Sequence, residues 1–284
     1  MSFLIEKAAR TGFCPGVKRA MDIVTRAAAE HGHIETLGAV VHNQQVIDGL
    51  IGIGVEVVKR VEDIKGKVVV TSSHGVSPEV DDLIKSRGIE AIGTVCGDVR
   101  RAQVAARRLA EAGFLVIVYG DANHPEVKGI LGWAKGEGIA TVDDNVVAAL
   151  NPMPRRVGVL SQTTQVPDSF AAFAKRVVDL ALKRDAEIRI IDTLCHELRE
   201  RQASAVELAR RADLMLVVGG RSSANTNRLA ELCSQVTETH LIETAEEILP
   251  GWLTGKKLVG ITAGASTAEE TVNEVVARLE ALRS

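Results

Sequence analysis

The chain has 284 residues, 46% of them apolar, enough to bury a large core in two or three lobes. A net charge of −3, no long basic stripe, and only two Trp and one Tyr argue against a nucleic-acid binder built on phosphate contacts or base stacking. The opening Met1–Lys7 lacks the apolar core of a signal peptide, no apolar run approaches the ~20 residues that span a bilayer, and the four cysteines lie far apart, so the expectation is a cytoplasmic chain whose cysteines ligate or catalyse.

Strand and helix patterns alternate almost throughout. A strand near Phe3–Ala8 leads to Cys14 and a helix over Val17–Glu30, whose Ala20, Ile23, Val24 and Ala27 fall at helical spacing. A strand at Ile34–Leu37 is followed by Val40-Val41-His42-Asn43 and a short helix over Gln44–Gly52. Strands at Val55–Val58 and Lys67–Thr71 follow, the second ending in Ser73-His74-Gly75. Pro78 is placed to begin a helix at its first turn. Ile89–Val95 leads to Cys96 and a basic-faced helix over Val99–Ala112, with Arg100, Arg101, Arg107 and Arg108 expected on a solvated face. Phe114–Tyr119 is a continuous apolar run, the signature of a strand buried on both faces of a parallel sheet. It ends at Gly120, with His124-Pro125-Glu126 on the turn beyond it. Asn151-Pro152-Met153-Pro154 is the most linker-like break, before a strand at Val157–Leu160 and a long helix after Pro167. A strand at Ile188–Ile191, Cys195, a helix over Ala203–Arg211 and a strand at Leu214–Val218 come next. The chain closes with Arg221–Asn227, a helix over Arg228–Cys233, a strand at Leu258–Thr262 and a final helix. Strands separated by helices predict an α/β fold of parallel sheets with right-handed crossovers, and ligands then bind beyond the carboxyl ends of the strands.

The order repeats three times. Cys14, Cys96 and Cys195 each sit at a strand-to-helix turn, and Gly38, Gly120 and Gly219 follow them at the same interval of 24 residues. Four residues beyond each glycine stand His42, His124 and Ser223, with Asn43, Glu126 and Asn225 close by. A third motif recurs as Val69–Gly75, Val159–Thr164 and Gly260–Ser266, each a buried-type strand ending in small hydroxyl or imidazole residues. The reading is an internal triplication: one α/β lobe over residues 14–95, a second over 96–194, and a third over 195–284 plus 1–13. If the three pack about a pseudo-threefold axis, the cysteines and a ring of His, Thr, Ser and Asn converge there.

A thiolate at a helix N-terminus is favoured by the helix dipole and the free N–H groups, which primes each repeated cysteine as a soft metal ligand. Closed zinc sites usually present paired Cys-x-x-Cys knuckles, and the chain has none. Three separate thiolates suit an iron–sulfur cube with one iron left open to a substrate oxygen. Cys233, inside an amphipathic helix and outside the repeat, reads as an ordinary buried thiol. His42, His74, Ser223, Asn225 and Ser266 are compact donors at strand ends beside helix N-termini, a combination suited to phosphate. No Walker-type loop points to a nucleoside triphosphate. Glu126 can relay protons, with His124 beside it and Thr163 completing a path to the ligand.

Gly12-Phe13-Cys14-Pro15-Gly16-Val17, Val41-His42-Asn43, Ser73-His74-Gly75, His124-Pro125-Glu126, Gln162-Thr163-Thr164, Asn225–Leu229 and Thr262–Ser266 together resemble 4-hydroxy-3-methylbut-2-enyl diphosphate reductase, the last enzyme of the non-mevalonate isoprenoid pathway. The resemblance spans essentially the whole chain. It implies three α/β lobes around a [4Fe-4S] cluster held by Cys14, Cys96 and Cys195. It implies reductive removal of the substrate's allylic hydroxyl as water, giving isopentenyl and dimethylallyl diphosphate. His42, His74, Ser223, Asn225 and Ser266 would hold the diphosphate and Glu126 would deliver protons, with His124 and Thr163 contacting the substrate beside it. A ferredoxin or flavodoxin would supply electrons, with no nucleic acid or membrane involved.

Three positions depart from the family's usual pattern. Val95-Cys96-Gly97 stands where the family has Thr-Cys-Pro, Ala224 where it has a second serine before the asparagine, and His196–Gln202 lacks the usual Ala-Thr after the third cysteine. These permit a sister iron–sulfur reductase acting on another anionic substrate. A non-enzymatic iron–sulfur redox sensor is the other class, against which the His–Glu–Thr set argues, since a sensor needs no proton relay.

Overall fold

The computed structural model describes residues 2–136 and 138–283. Its twelve strands form three four-stranded sheets in which every pairing is parallel. In the first sheet, β2 (Ile34–Leu37), β3 (Val55–Val58), β4 (Val68–Thr71) and β5 (Glu90–Gly93) are ordered β3-β2-β4-β5. In the second, β6 (Leu115–Tyr119), β7 (Gly138–Thr141), β8 (Arg156–Ser161) and β9 (Glu187–Ile190) are ordered β7-β6-β8-β9. The third has the order β11-β10-β12-β1, from β10 (Leu214–Val218), β11 (Thr239–Ile242), β12 (Leu258–Ala263) and β1 (Leu4–Lys7). The order is the same each time, with β1, from the far end of the chain, taking the place of β5 and β9. The expected repetition of α/β units is therefore present in the strand order itself.

By contacts the chain divides into two compact units: residues 1–21, 41–53 and 196–284, and residues 22–40 and 54–195. The first unit holds the β1/β10/β11/β12 sheet. Its strands bury both faces: Leu214, Leu216 and Val218 pack in one cluster with Ile242, Val272 and Leu279, while Met215 and Val217 pack in another with Leu208, Leu229 and Cys233. This unit also takes α2 (Gln44–Gly52), where Gln45 donates to the Glu243 carbonyl and accepts from Thr271 Oγ1. Helices α8 (His196–Ala209), α9 (Ala224–Ser234) and α10 (Glu269–Arg283) complete it, and α1 (Pro15–His31) begins in it.

The second unit holds the other two sheets. Val116 and Val118 face α4 (Gly97–Glu111) and α5 (Pro125–Trp133), whereas Ile117, Val157 and Val159 face α7 (Pro167–Leu182) and α6 (Asp144–Ala148). Leu37, Val58, Val69 and Ile84 form the core between the β2–β5 sheet and α3 (Pro78–Ser86). A buried carboxylate, Glu35 of β2, accepts the N–H groups of Lys65 and Gly66 and so fixes the turn before β4. The Asn151–Pro154 break lies inside this unit, between α6 and β8, with a cis Asn151–Pro152 bond. Among the described residues no helix is long and apolar enough to cross a membrane.

Candidate functional site

All three repeated cysteines are held in one way. Cys14 N–H donates to the Ala265 carbonyl, Cys96 N–H to Ser73 and Cys195 N–H to Thr163, each at 3.0 Å. The three acceptors belong to the loops after β12, β4 and β8, the third repeated motif of the sequence. Each cysteine then opens a helix: Cys14 precedes α1, Cys96 is the N-cap of α4 and Cys195 precedes α8. Val17 N–H points at Cys14 Sγ, 3.4 Å away. A sulfur at a helix start meets free N–H groups and the positive end of the dipole. Cys233 lacks this setting: burial among apolar side chains pushes its thiol up to about 11, so it stays protonated and is a core residue.

The repeated glycines mark the other half of each unit. Gly38, Gly120 and Gly219 donate to Val58, Thr141 and Ile242, the last residues of the three outer strands. At Gly219, φ is +145°, and a Cβ would also lie 2.5 Å from Thr267 Oγ1. At Gly120 the crowding is with Gln162, whose Cβ would be 2.8 Å away. Beyond these glycines lie helix N-termini. His124 caps α5 by accepting Glu126 N–H at Nδ1 (3.2 Å), and Ser223 caps α9 by accepting Thr226 N–H at Oγ (3.3 Å). In the first repeat the cap is Asn43, accepting Val46 N–H, and His42 precedes it by one residue. The equal spacing of His42 with His124 and Ser223 therefore hides a one-residue offset in the structural role.

Within the first unit, Ser223, Asn225 and Ser266 are all buried, and His42 is half-buried. Burial lowers the His42 pKa, so at neutral pH the ring is neutral and offers one N–H rather than a charge. Neither Oδ1 nor Nδ2 of Asn225 has a hydrogen-bond partner among the described residues, although both are fully shielded. Ala224 is partly exposed and Ser222 exposed, so neither replaces the family's second serine as a buried donor.

Arg201 is a residue that the sequence reading passed over. It is 1% exposed and donates to the carbonyls of Ala263 (2.9 Å), Gly12 (3.1 Å) and Arg10 (3.4 Å), with Glu197 Oε1 at 3.5 Å. It thus ties α8 to the end of β12 and to the backbone just before Cys14. The signal was present in the sequence: Leu198, Arg201, Ala205 and Leu208 follow the helical period of the buried face.

Within the second unit the histidines and the carboxyl come together. The His74 and His124 rings meet edge to face with centroids 5.4 Å apart. Glu126 is 2% exposed, near the start of α5 rather than on a surface turn. Its Oε1 accepts Thr163 N–H (2.7 Å) and its Oε2 accepts the Thr163 hydroxyl (2.9 Å). Burial is the main influence on its pKa; the two Thr163 bonds oppose it, the charge of Asp98 adds to it, and the result is a carboxyl raised to about 7. Lys128, two residues on, is exposed. Of the α4 arginines, Arg100, Arg101 and Arg108 are exposed as expected and Arg107 partly so, but they also make contacts: Arg100 and Arg107 lie over the Trp133 ring at 4.3 and 5.7 Å, and Arg101 donates to the Leu194 carbonyl.

Comparison with known proteins identifies the family. The family model described as LytB protein matches residues 5–280. The 4-hydroxy-3-methylbut-2-enyl diphosphate reductase of Dehalococcoides mccartyi is 56% identical over 278 residues, covering 98% of both chains. That of Geobacter metallireducens is 42% identical over 98% of this chain and 97% of its own. A solved (E)-4-hydroxy-3-methyl-but-2-enyl diphosphate reductase superposes with a TM-score of 0.71 at 34% identity, over 98% of this chain and all of that one. The reductase structure from Plasmodium falciparum, at 24% identity, shares the fold with a TM-score of 0.91, over 98% of this chain and 88% of its own. With a family match over nearly its whole length and relatives this similar, the chain belongs to the LytB family.

Proposed function

We propose that the chain is a reductase that converts 4-hydroxy-3-methylbut-2-enyl diphosphate into isopentenyl and dimethylallyl diphosphate, using a [4Fe-4S] cluster ligated by Cys14, Cys96 and Cys195. The observation that carries the reading is Glu126: a buried carboxyl poised near neutral pH and bonded twice to one threonine. The cysteine set supports the cofactor. Three thiols with the same backbone hydrogen bond, each at a helix start, are donors of the softness an iron–sulfur cube takes, whereas Cys233 is not. When bound, such a cluster supplies electrons and an open iron as a Lewis acid toward the substrate hydroxyl.

The chain's own residues do the rest. Ser223 accepts a helix N–H, which leaves its hydroxyl proton to donate outward, and the shielded Asn225 amide gains partners when phosphate oxygens arrive. Ser266, His42 and His74 complete the diphosphate set in this reading. Loss of the hydroxyl requires a proton at that oxygen, and ligating thiolates have none to give. Protonated at Oε2, Glu126 donates to Thr163 Oγ1, whose own proton then turns outward to the leaving oxygen. His124, tied through Nδ1 to the Glu126 backbone, carries its ring N–H on Nε2 and presents that donor to the substrate. Two electrons and two protons are consumed, one C–O bond breaks, one C–H bond forms, and the oxygen leaves as water. Electrons come from a ferredoxin or flavodoxin.

Anaerobic reconstitution followed by turnover with dithionite and a viologen tests the whole reading. The expected result is about four irons and four sulfides per chain, with both isopentenyl and dimethylallyl diphosphate formed. Bound zinc without sulfide would remove the cofactor. An intact cluster that turns over another anionic substrate, or none, would replace the assignment with a sister reductase or a redox sensor.

A further inference from the structure

Three arginines of α4 line a groove that the proposed site residues leave unused. Arg101 and Arg108 face β9 across an open groove of about 510 Å³, lined also by Gly97, Arg100, Arg189 and Ile191 among others. Four arginines line it and no carboxylate does. The acids at its margin are already engaged: Asp98 pairs with Arg101 at 3.2 Å, Glu187 with Arg189 at 3.0 Å and with Arg156 at 3.2 Å, and Asp192 caps the Leu194 N–H. Arg189 is further held over the Phe114 ring, 4.5 Å from its centroid, and Arg100 over Trp133, so these guanidiniums are positioned rather than loose. On a chain of net charge −3 this is a local inversion of sign.

The groove also adjoins two of the cysteines. Gly97 in its lining follows Cys96 directly, and Arg101 reaches from it to the carbonyl of Leu194, the residue before Cys195, at 2.8 Å. The lining thus reaches the residue after Cys96, and through Arg101 it bonds to the residue before Cys195. Val104 and Ile191, both partly exposed, add apolar surface to the lining, which suits protein contact as well as charge.

We infer that this groove docks the acidic face of a small one-electron carrier protein, which delivers its electrons at the Cys96–Cys195 side. The inference rests on the reductase reading above. Each docking event transfers one electron: the carrier's centre is oxidised by one and the enzyme's bound cofactor reduced by one. Two events supply the pair consumed when the C–O bond breaks. Fixed, oriented arginines attract an acidic partner over several ångströms and set its orientation, and such steering weakens with salt.

The test uses the reconstituted full chain and a reduced acidic ferredoxin as probe, comparing wild type with Arg108→Glu/Arg189→Glu. Binding is read by surface plasmon resonance at low and high salt, and turnover is read with ferredoxin and separately with dithionite and viologen. The expected result is a loss of ferredoxin affinity and of ferredoxin-driven kcat/KM of about 10-fold or more, with a shallower salt dependence. Viologen-driven turnover stays within about twofold, and Arg26→Glu, outside the groove, changes neither readout. Unchanged ferredoxin affinity in the double variant overturns the inference, whatever the viologen assay gives. Loss of viologen turnover in the wild type would instead strike the reductase reading, and the binding measurement still decides this one. Short single-stranded RNA held in the groove more tightly than ferredoxin would also overturn it.

Discussion

The N-termini of α5 and α9 are the same construction put to two uses. Each follows a central strand, a glycine that donates to an outer strand and a polar N-cap, with a polar side chain two residues past the cap. At α5 that residue is Glu126, and Thr163 satisfies both its oxygens. At α9 it is Asn225, and nothing among the described residues satisfies either of its polar atoms. The partner loops explain the difference. Thr163 and Ala265 hold equivalent positions, each receiving a cysteine N–H, but only threonine brings a hydroxyl. One repeat therefore holds its polar group in a closed pair and the other leaves it unsatisfied, which in the proposed reading suits the first to a proton and the second to a ligand. The repeated frame thus carries two polar settings, made by Glu126 with Thr163 in one copy and by Asn225 with Ala265 in the other.

The largest expected effect breaks the α5 half. Glu126→Gln removes the proton and keeps the shape, so turnover should fall by about 100-fold or more while the cluster spectrum and substrate affinity persist. Near-wild-type kcat with an intact spectrum would dismiss Glu126 as the acid. The matching change in α9, Asn225→Leu, should raise KM by roughly 10- to 100-fold, the worth of a hydrogen bond to a charged group. Because it also removes a buried amide with no partner, the same variant should unfold at a temperature higher by about 2–4 °C without substrate. A lowered melting temperature would mean that the amide is a structural element.

The two frames should differ in pH response as well. Glu126 is raised from 4.5 unfolded to about 7 folded, so the folded state prefers it protonated. Its contribution to stability is present below the unfolded value and is lost as pH rises toward 7, by up to about 3 kcal/mol. Wild type should lose that stability between pH 5 and pH 8 more steeply than Glu126→Gln, as chemical denaturation at the two pH values would show. Catalysis should decline on the alkaline side of about pH 7 for the same reason. Thr163→Val deletes one bond that favours the carboxylate and also the hydroxyl that passes the proton on, so turnover should fall, and what remains should report the acid's strength. Its alkaline limb should move to higher pH, and an unmoved limb would show that the hydroxyl does not set the acid's strength.

Much of this was legible in the sequence because parallel strands buried on both faces write themselves as apolar runs, such as Leu115–Tyr119 and Leu214–Val218. The cysteine turns were legible because they break that pattern at a fixed interval. The outer strands β7 and β11, reading Gly-Ile-Ala-Thr and Thr-His-Leu-Ile, were not, since each has four residues, mixed polarity and partial exposure. Helix α5 was hidden by Gly129 and Gly132, and α8 begins seven residues before its expected start because the buried Arg201 and Gln202 interrupt its apolar stripe. Ion stacking on Trp133 likewise leaves no local trace, so the solvated face of α4 was legible but the contacts of Arg100 and Arg107 on it were not. Where packing partners come from distant segments, a single residue type carries no record of them.

Among the described residues strand β1 pairs only with β12, Leu4 lying beside Leu258 and Lys7 beside Ile261. A ribosome makes these partners at opposite ends of synthesis, so the first strand must wait for almost the whole chain before it has a neighbour, and non-local pairing of this kind is slow. The Cys14 turn waits with it, because the Cys14 N–H has its acceptor at Ala265, just beyond β12. Residues 54–195 meet no such delay, and Cys96 and Cys195 can be in place while the nascent chain is still emerging. In the proposed reading, a cluster held by all three cysteines can therefore form only after translation has passed residue 265.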